Sequence, residues 1–212
     1  MAAMAKATAR PARRRPDRYH HGDLRRALLR EAVRTIQTQG PGALTLRGVG
    51  DRLGVSRTAM YRHFADKQAL LEEVATDGFR MLRSALLEAW TAAGQGRAGL
   101  DAMGLAYVRF ALAHPSHYRV MFGGLRERRE KRYQPDGGDE STDAFRVLLD
   151  AIVAEQGAGR VRGDEPMPLA LYIWSVVHGV AMLALDGMLP PEMDGTALAP
   201  FVIERLHTGI AS

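Results

Sequence analysis

The stretch LGVSRTAMYRHFADKQALL, Leu53 to Leu71, decides the fold of the N-terminal part of the chain. Gly54 and Ser56 mark a tight turn, because glycine readily adopts a left-handed backbone and serine caps helix N-termini. After this turn, Met60 and Phe64 lie four residues apart and share the apolar face of a short helix. Two short helices joined by such a turn are typical of a helix-turn-helix, whose second helix enters the major groove of DNA.

The opposite face of the short helix carries groups that bind phosphates and base edges. Arg57 can pair with a guanine edge, and Thr58 can bond a base or contact a thymine methyl group. Tyr61 and His63 are long enough to reach phosphate oxygens, and Lys67 adds a charge at the next helix start. The alternative is a plain surface helix. The spacing of caps and turn, taken with the charge of this region, favours DNA binding.

Positive charge is concentrated in the first third of the chain. Residues 1–64 contain 14 Lys and Arg against 4 Asp and Glu, a net charge of +10. Residues 65–212 contain 15 Lys and Arg against 20 Asp and Glu, a net charge of −5. This split indicates a polyanion-binding module joined to a neutral or acidic body. The 212-residue chain has no cysteine and no apolar run after its N-terminal arginines, so we expect a cytoplasmic protein.

The whole chain shows helical periodicity without strand-like alternation, so we expect an all-α fold of about nine helices. We predict a disordered basic arm at residues 1–18, a three-helix helix-turn-helix domain at residues 19–66, and a larger α-helical ligand-binding and dimerisation domain at residues 67–212. The polar segment Gly123–Thr142 is predicted to be a mobile, solvated loop. The predicted helices span approximately residues 23–39, 45–53, 57–63, 66–90, 97–114, 115–122, 139–156, 167–186 and 196–207.

The segment Met167–Leu185 is nearly free of charge. A membrane span is one alternative for so apolar a helix, but His178 at its centre favours a buried helix at an interface. We therefore predict no membrane partner and a homodimer through the helices near 167–186 and 196–207. Such a dimer would hold two recognition helices about 34–36 Å apart, the spacing of successive major grooves.

The run TLRGVGDRLGVSRTAMYRHFADKQALL resembles the DNA-binding signature of the tetracycline-repressor (TetR) family of bacterial regulators. The resemblance is specific over residues 21–71, and its matching elements are Thr45, Leu53-Gly54-Val55-Ser56, Tyr61-Arg62-His63-Phe64, Lys67 and Leu70-Leu71. A looser similarity links Trp174-Ser175-Val176-Val177-His178-Gly179 to the Trp-His-Gly group of ligand-binding domains in this family.

The resemblance implies a transcriptional regulator, in most members a dimeric repressor that binds a palindromic operator in double-stranded DNA. A small, largely apolar effector would release it. By resemblance, Arg47 and Arg57 are candidates for base contacts, and several hydroxyl and cationic side chains are candidates for phosphate contacts. Together with the outward face of the short helix, the predicted DNA-binding residues are Thr45, Arg47, Ser56, Arg57, Thr58, Tyr61, Arg62, His63 and Lys67.

Aromatic and methionine side chains at helical spacing in the second domain are candidates for a ligand pocket. They are Met103, Tyr107, Phe110, Tyr118, Met121, Phe122, Trp174 and His178. The alternative is plain core, which is the usual role of such stripes. In that case His178 would bond a backbone carbonyl or lie at a dimer contact.

No catalytic or metal-binding pattern is present in the sequence. His114 and His117 lack carboxylates at ligand spacing, and the pair His20-His21 is better explained as a neighbour of phosphate, so we predict no metal and no cofactor. The motifs GxxxxGK[ST], GxSxG and HExxH are absent, which argues against an enzyme. A sequence-independent DNA-packaging protein remains a second alternative, because the basic residues at positions 10–18 would serve either function.

Two glycines lie inside the second predicted helix, where each costs about 0.5–1 kcal/mol against alanine. Gly50 is predicted to allow the two short helices to approach closely. Gly48 is predicted to face outward without compensation, so that Gly48→Ala would raise the melting temperature.

Overall fold

The computed structural model describes residues 21–123 and 140–210, and these residues form nine α-helices and one turn of 3-10 helix at Pro41–Ala43. The predicted basic arm and most of the Gly123–Thr142 segment lie outside the described residues. The all-α prediction is confirmed, since the described ranges contain no strand. The helices are α1 (His21–Gln39), α2 (Leu46–Leu53), α3 (Arg57–Tyr61), α4 (Lys67–Ala92), α5 (Gly96–Ala113), α6 (Pro115–Phe122), α7 (Glu140–Gly157), α8 (Pro166–Leu185) and α9 (Gly195–Ile210).

Helix α3 ends two residues earlier than predicted. The chain does not leave the helical path abruptly, because the amides of His63 and Phe64 both bond the carbonyl of Met60, at 2.9 and 3.1 Å. The tightened turn brings Phe64 back onto the same apolar face as Met60. The two buried side chains therefore share one face, as their spacing predicts.

Helices α1, α2 and α3 pack into a small unit, here called the head. The apolar stripe of α1 is buried as predicted, with Leu28 and Ala32 fully enclosed. Gly40, with φ of 78°, ends α1 in the left-handed region that suits glycine. The following 3-10 turn buries Leu44 against the same core.

The remaining helices form the body, which is organised around the long helix α4. Helix α4 packs against α5, α6 and α7, while α5 packs against α8 and α9. One hydrophobic core runs continuously from α1 of the head, at Leu28, to α9 of the body, at Ile203. Helix α4 therefore contacts α1 of the head as well as the helices of the body.

A second, smaller core lies where α7, α8 and α9 meet, around Ile152, Val161 and Leu169. Beside it, Glu155 is 1% exposed and accepts two bonds from the Arg160 guanidinium, at 2.6 and 2.8 Å. Arg160, and also a bond from the Gly96 amide, lower the pKa of Glu155 against the opposing effect of burial. This carboxylate joins the end of α7 to the start of α5.

Helix α8 is the one helix of the described residues that is long and apolar enough to cross a membrane by length and composition. The core helix of a soluble protein satisfies the same test. One side of α8, including Ile173 and Val177, packs on α5 and α9. The other side leaves Leu171, Tyr172 and Leu183 exposed.

Candidate DNA-binding surface and ligand site

Two side-chain caps and one left-handed glycine set the geometry of the helix-turn-helix. The hydroxyl of Thr45 accepts from the amide of Gly48 at 3.0 Å, and that of Ser56 accepts from the amide of Ala59 at 3.2 Å. Between them, Gly54 adopts φ of 66° and turns the chain from α2 into α3. Both hydroxyls use a lone pair as caps and keep their O–H groups available as donors.

The two glycines of α2 have different roles. A Cβ on Gly50 would lie 1.8 Å from Sδ of Met60, so this glycine makes room for the buried anchor of α3, and the predicted close approach of the two helices is confirmed. A Cβ on Gly48 would lie 2.9 Å from Oγ1 of Thr45, the atom that caps α2. The prediction that Gly48→Ala raises the melting temperature assumed that this glycine has no compensating role. That assumption is wrong, because the added methyl group would press on the cap.

Phe64 fastens the head to the body. Its ring is 3% exposed, and the guanidinium of Arg25 lies over it at 5.3 Å. The same guanidinium bonds both carboxylate oxygens of Glu73 on α4, at 3.0 and 2.9 Å. Arg25 and Glu73 are 48 residues apart, so no local pattern in the sequence could have indicated this link.

The outward face of α3 is free of the protein's own packing. Arg57, Thr58 and Arg62 are exposed, and Tyr61 is 54% exposed. Met60, on the opposite face, is 2% exposed. This is the disposition of a recognition helix that is anchored by its apolar side and offers its polar side to a partner. His63 is half-buried at the end of the turn and makes other contacts of its own.

The predicted DNA-binding residues outside α3 lie around the same surface. Arg47, on α2, is well exposed and lies 3.6 Å from the exposed carboxylate of Asp51, a pairing that contributes little in water. Lys67, at the start of α4, donates to the carbonyl of Gly42 at 3.2 Å. That bond ties α4 to the 3-10 turn, a role that the sequence did not suggest, and leaves the ammonium with further donors.

In the body, four of the predicted ligand residues converge in one polar cluster, here called the tyrosine–histidine cluster: Tyr107, Tyr118, Trp174 and His178. Nδ1 of His178 lies 2.9 Å from the Tyr107 hydroxyl and 2.7 Å from the Tyr118 hydroxyl. The two hydroxyl oxygens are 3.1 Å apart, and the indole N–H of Trp174 donates to the Tyr107 oxygen at 3.0 Å. The imidazole of His178 is thus bonded by two tyrosine hydroxyls, in place of the backbone carbonyl suggested for a core histidine.

Burial controls the charge of this cluster. It raises the pKa of Tyr107 to about 12, raises that of Tyr118, and lowers the pKa of His178. All three groups are therefore uncharged near pH 7.

An aromatic wall, formed by Phe122, Phe145 and Trp174, stands beside the cluster. The Phe122 ring lies 4.7 Å from the His178 ring and 6.1 Å from the Trp174 ring, and Phe145 lies 6.1 Å from Trp174. All three side chains are only partly buried. Of the predicted set, Phe122 therefore lies beside the cluster, and Phe145 is a further neighbour that the sequence pattern did not single out.

The other three predicted ligand residues lie in packed core. Met121 lies on α6, where a Cβ on Gly78 of α4 would come 2.5 Å from its Sδ. Phe110 contacts the ring of His114 at 5.1 Å, and Met103 is 2% exposed.

A separate open cleft of about 360 Å³ lies between α4 and α7. None of the predicted ligand residues lines it, and its lining is mixed and charged. It includes Arg83, Trp90, Gln95, Asp143, Arg146 and Asp150.

The structure brings one carboxylate close to the histidines that flank Pro115. Nε2 of His117 lies 3.7 Å from Oδ2 of Asp77, and burial lowers the pKa of His117 against the opposing effect of that carboxylate. Within residues 21–123 and 140–210, no group of three His, Cys, Asp or Glu side chains is placed to hold a metal.

Comparison with known proteins agrees with the two-part geometry. Residues 28–74 match the family model of bacterial regulatory proteins of the tetR family, and residues 100–206 match that of the tetracyclin repressor-like C-terminal domain. The chain belongs to the TetR family. It is a transcriptional regulator with a helix-turn-helix DNA-binding domain.

Several known proteins match this chain over most of its length. A protein of unknown function from Rhodococcus sp. RHA1, of solved structure, is 31% identical and superposes with a TM-score of 0.79, covering 93% of this chain and 100% of that one. An uncharacterized helix-turn-helix regulator of Mycobacterium tuberculosis is 26% identical, over 88% of this chain and 81% of its own. A helix-turn-helix transcriptional repressor of the same organism is 28% identical, over 82% and 89%.

Proposed function

We propose that this TetR-family chain is a cytoplasmic, homodimeric repressor that binds a palindromic operator and is released by a small, largely apolar effector. The observation that carries the proposal is the outward face of α3, where Arg57, Thr58 and Tyr61 point away from the protein while Met60 and Phe64 hold the helix in place. Repression is supported by the relative from Mycobacterium tuberculosis that is named a repressor.

We assign different contacts to different residues of this surface. Arg57 and Arg47 read base edges, and Thr58 bonds a base or contacts a thymine methyl group. The residues that contact phosphates are Thr45, Ser56, Tyr61, His63 and Lys67. Arg62, which is exposed at the end of α3, adds charge to the same surface.

Selection of bound sequences from a random DNA pool tests the proposal. A regulator recovers one palindrome, whereas a DNA-packaging protein recovers no preferred sequence. On the selected operator, Arg57→Ala is expected to cost ~1–3 kcal/mol and to relax base choice at one position of each half-site, while Tyr61→Phe weakens all sequences alike.

The matched control is Arg83→Ala, which removes the same charge from an exposed position on α4. Arg83 is sixteen residues beyond Lys67, or about 24 Å along the helix. If Arg83→Ala lowers operator affinity as much as Arg57→Ala, the assignment of base reading to α3 is wrong.

The dimer is proposed to form through the exposed face of α8 and the adjoining face of α9. Both helices have solvent-exposed apolar side chains, among them Leu171 and Tyr172 on α8 and Phe201 on α9. Nothing lies within 4 Å of a Cβ built on Gly179, so a partner helix can approach closely there. Large apolar side chains exposed on two helices that pack together are typical of an interface between subunits.

Sedimentation velocity tests the dimer. Leu171→Glu on α8 is expected to shift the protein to monomers, whereas Val153→Glu, at an exposed apolar position on α7, leaves the dimer intact. Equal behaviour of the two variants would place the interface elsewhere.

Helix α6 is proposed to carry the effector signal to the head. It contributes Tyr118 to the tyrosine–histidine cluster, and it crosses α4 at Gly78, where Met121 and the Cβ of His117 leave no room for a side chain. Its Arg119 also donates to the carbonyl of Leu185 at the end of α8, at 2.8 Å. A shift of α6 on effector binding therefore moves α4, and with it the spacing of the two heads.

The distance between the heads can be measured directly, because the chain has no cysteine. A single Gln39→Cys, at an exposed position of α1, places one spin label on each subunit. Effector binding is expected to change the label-to-label distance and to lower operator affinity together. Release of DNA at an unchanged distance would contradict this mechanism.

A further inference from the structure

We infer that His178 offers its Nε2–H to the carbonyl oxygen of a flat, uncharged, largely apolar effector held against the aromatic wall. The inference rests on the proposed effector-responsive function and identifies the chemical class of the effector. It follows from counting the hydrogens in the tyrosine–histidine cluster.

The cluster has three hydrogens of its own to place: one each from Tyr107, Tyr118 and the indole of Trp174. The indole hydrogen goes to the Tyr107 oxygen. If Nδ1 of His178 is an acceptor, one tyrosine donates to it and the other tyrosine donates to the first, so every hydrogen finds a partner at 2.7–3.1 Å. Both orders of the tyrosines satisfy the count.

The opposite tautomer does not satisfy the count. If Nδ1 carries the hydrogen, it donates to one tyrosine, that tyrosine donates to the other, and the hydroxyl hydrogen of the last has no acceptor within the cluster. Both tyrosines are deeply buried, with Tyr118 at 0% exposure, so that hydrogen could not reach water. A buried donor without a partner is strongly disfavoured. The tautomer with hydrogen on Nε2 is therefore selected.

The Nε2–H group is then a hydrogen-bond donor that needs an acceptor. Within residues 21–123 and 140–210, the hydrogen bonds of His178 both involve Nδ1, and four aromatic rings lie 4.7–6.3 Å from its own ring. The nearest of these, Phe122 and Trp174, offer only weakly accepting π faces. His178 and the three rings of the aromatic wall are only partly buried, and we place the effector against this wall, within reach of Nε2.

The surroundings define what that molecule must be. Three aromatic side chains, from α6, α7 and α8, favour a flat apolar body. One N–H donor matches one oxygen acceptor, and a charged carboxylate would not be balanced by a single neutral donor in an uncharged site. A carbonyl on a fused-ring skeleton meets all of these conditions.

The experiment uses 9-fluorenone and fluorene as probes, two flat three-ring molecules of nearly equal size that differ in one carbonyl oxygen. The full chain is labelled with 15N-histidine, and long-range proton–nitrogen correlation spectra show which ring nitrogen of each histidine carries hydrogen. The variant His178→Phe assigns the His178 signals among the seven histidines. Titration of each probe gives its Kd.

The inference predicts three results. The free protein shows His178 protonated at Nε2, fluorenone shifts that N–H signal, and fluorenone binds about tenfold more tightly than fluorene, the value of one net hydrogen bond. In His178→Phe, which keeps a ring but lacks the donor, the two probes bind within about twofold of each other.

Each other result overturns a stated part of the inference. Protonation at Nδ1 in the free protein overturns the hydrogen count, equal binding of the probes to the wild-type chain overturns the role of Nε2–H, and no binding of either overturns the effector class. Both affinities are measured on the wild-type chain, so the comparison of the two probes does not depend on the folding of the variant, which serves only to assign the His178 signals and as a control.

Operator affinity measured in parallel separates this inference from the proposed function. Fluorenone that binds with the expected preference but leaves operator affinity unchanged sustains the site and contradicts effector-driven release. A preference for fluorene together with loss of operator binding sustains effector-driven release and contradicts the role of Nε2–H.

Discussion

The contacts inside the head join residues that are close in the sequence, whereas those inside the body join residues that are far apart. In the head, the caps at Thr45 and Ser56 each accept from an amide three residues later. In the body, the bonds of Tyr107 and Tyr118 to His178 join residues 71 and 60 positions apart. A bond between residues three positions apart gives the sequence a recognisable spacing. A bond between distant residues gives no such spacing, and the residue types involved also occur in many other roles.

The two regions also differ in what they do with polar groups. The head exposes its polar groups on α3 and buries the apolar anchors Met60 and Phe64 beneath them. The body buries a hydroxyl–imidazole–indole cluster among aromatic rings. Exposed polar groups bind a large, charged partner without a cost in protein stability, while buried ones must be satisfied by each other or by a small guest.

The largest expected effect on stability distinguishes a buried residue that anchors α3 from an exposed residue that contacts DNA. Phe64→Ala should lower the free energy of unfolding by ~3–5 kcal/mol, because it opens a cavity where α3 joins α4 and removes the surface under Arg25. Tyr61→Ala, at an exposed position, should change it by less than about 0.5 kcal/mol while impairing DNA binding. Urea unfolding measures both, and similar losses would mean that Tyr61 is part of the core.

The second effect concerns two identical changes within the body. Tyr107→Phe should cost ~1–3 kcal/mol, because the indole N–H of Trp174 loses its acceptor. Tyr118→Phe should cost less than about 1 kcal/mol, because Tyr107 can donate to His178 in its place. If urea unfolding gives the opposite order, the hydrogen-bond assignment in the cluster is wrong.

A third, pH-dependent effect tests the far end of the body. The pKa of Glu155 is lowered in the folded protein by Arg160, so its stabilising contribution is present above the unfolded pKa and is lost as the pH falls through the folded pKa. We expect Glu155→Gln to lower the melting temperature at pH 7 and to flatten its decline below about pH 4.5. Melting curves against pH measure this, with the exposed Glu88→Gln as control. Equally steep acid profiles in wild type and Glu155→Gln would contradict the role of the pair.

The smallest expected effect returns to α2. Gly48→Ala gains helix propensity but presses its methyl group on the Thr45 hydroxyl at 2.9 Å, so the free energy of unfolding should stay within about 0.5 kcal/mol of wild type. A gain of a full 1 kcal/mol in urea unfolding would show that the cap adjusts without cost.

The sequence by itself determined the helix-turn-helix, the all-α class and the two-part distribution of charge. The first two follow from caps, left-handed glycines and helical periodicity. Each of these acts over a few residues and is therefore visible in a short stretch of sequence. It also selected the aromatic and histidine residues of the body as a set, although it could not separate those that cluster from those, such as Met103 and Phe110, that pack elsewhere.

Only the tertiary structure decided which distant side chains meet. The Arg25–Glu73 link between head and body, the Lys67 bond to Gly42, the crossing of α6 over Gly78 and the hydrogen count around His178 all depend on helix packing. The physical reason is that packing brings together residues from anywhere in the chain, and a single sequence carries no record of those pairings until the helices occupy their places.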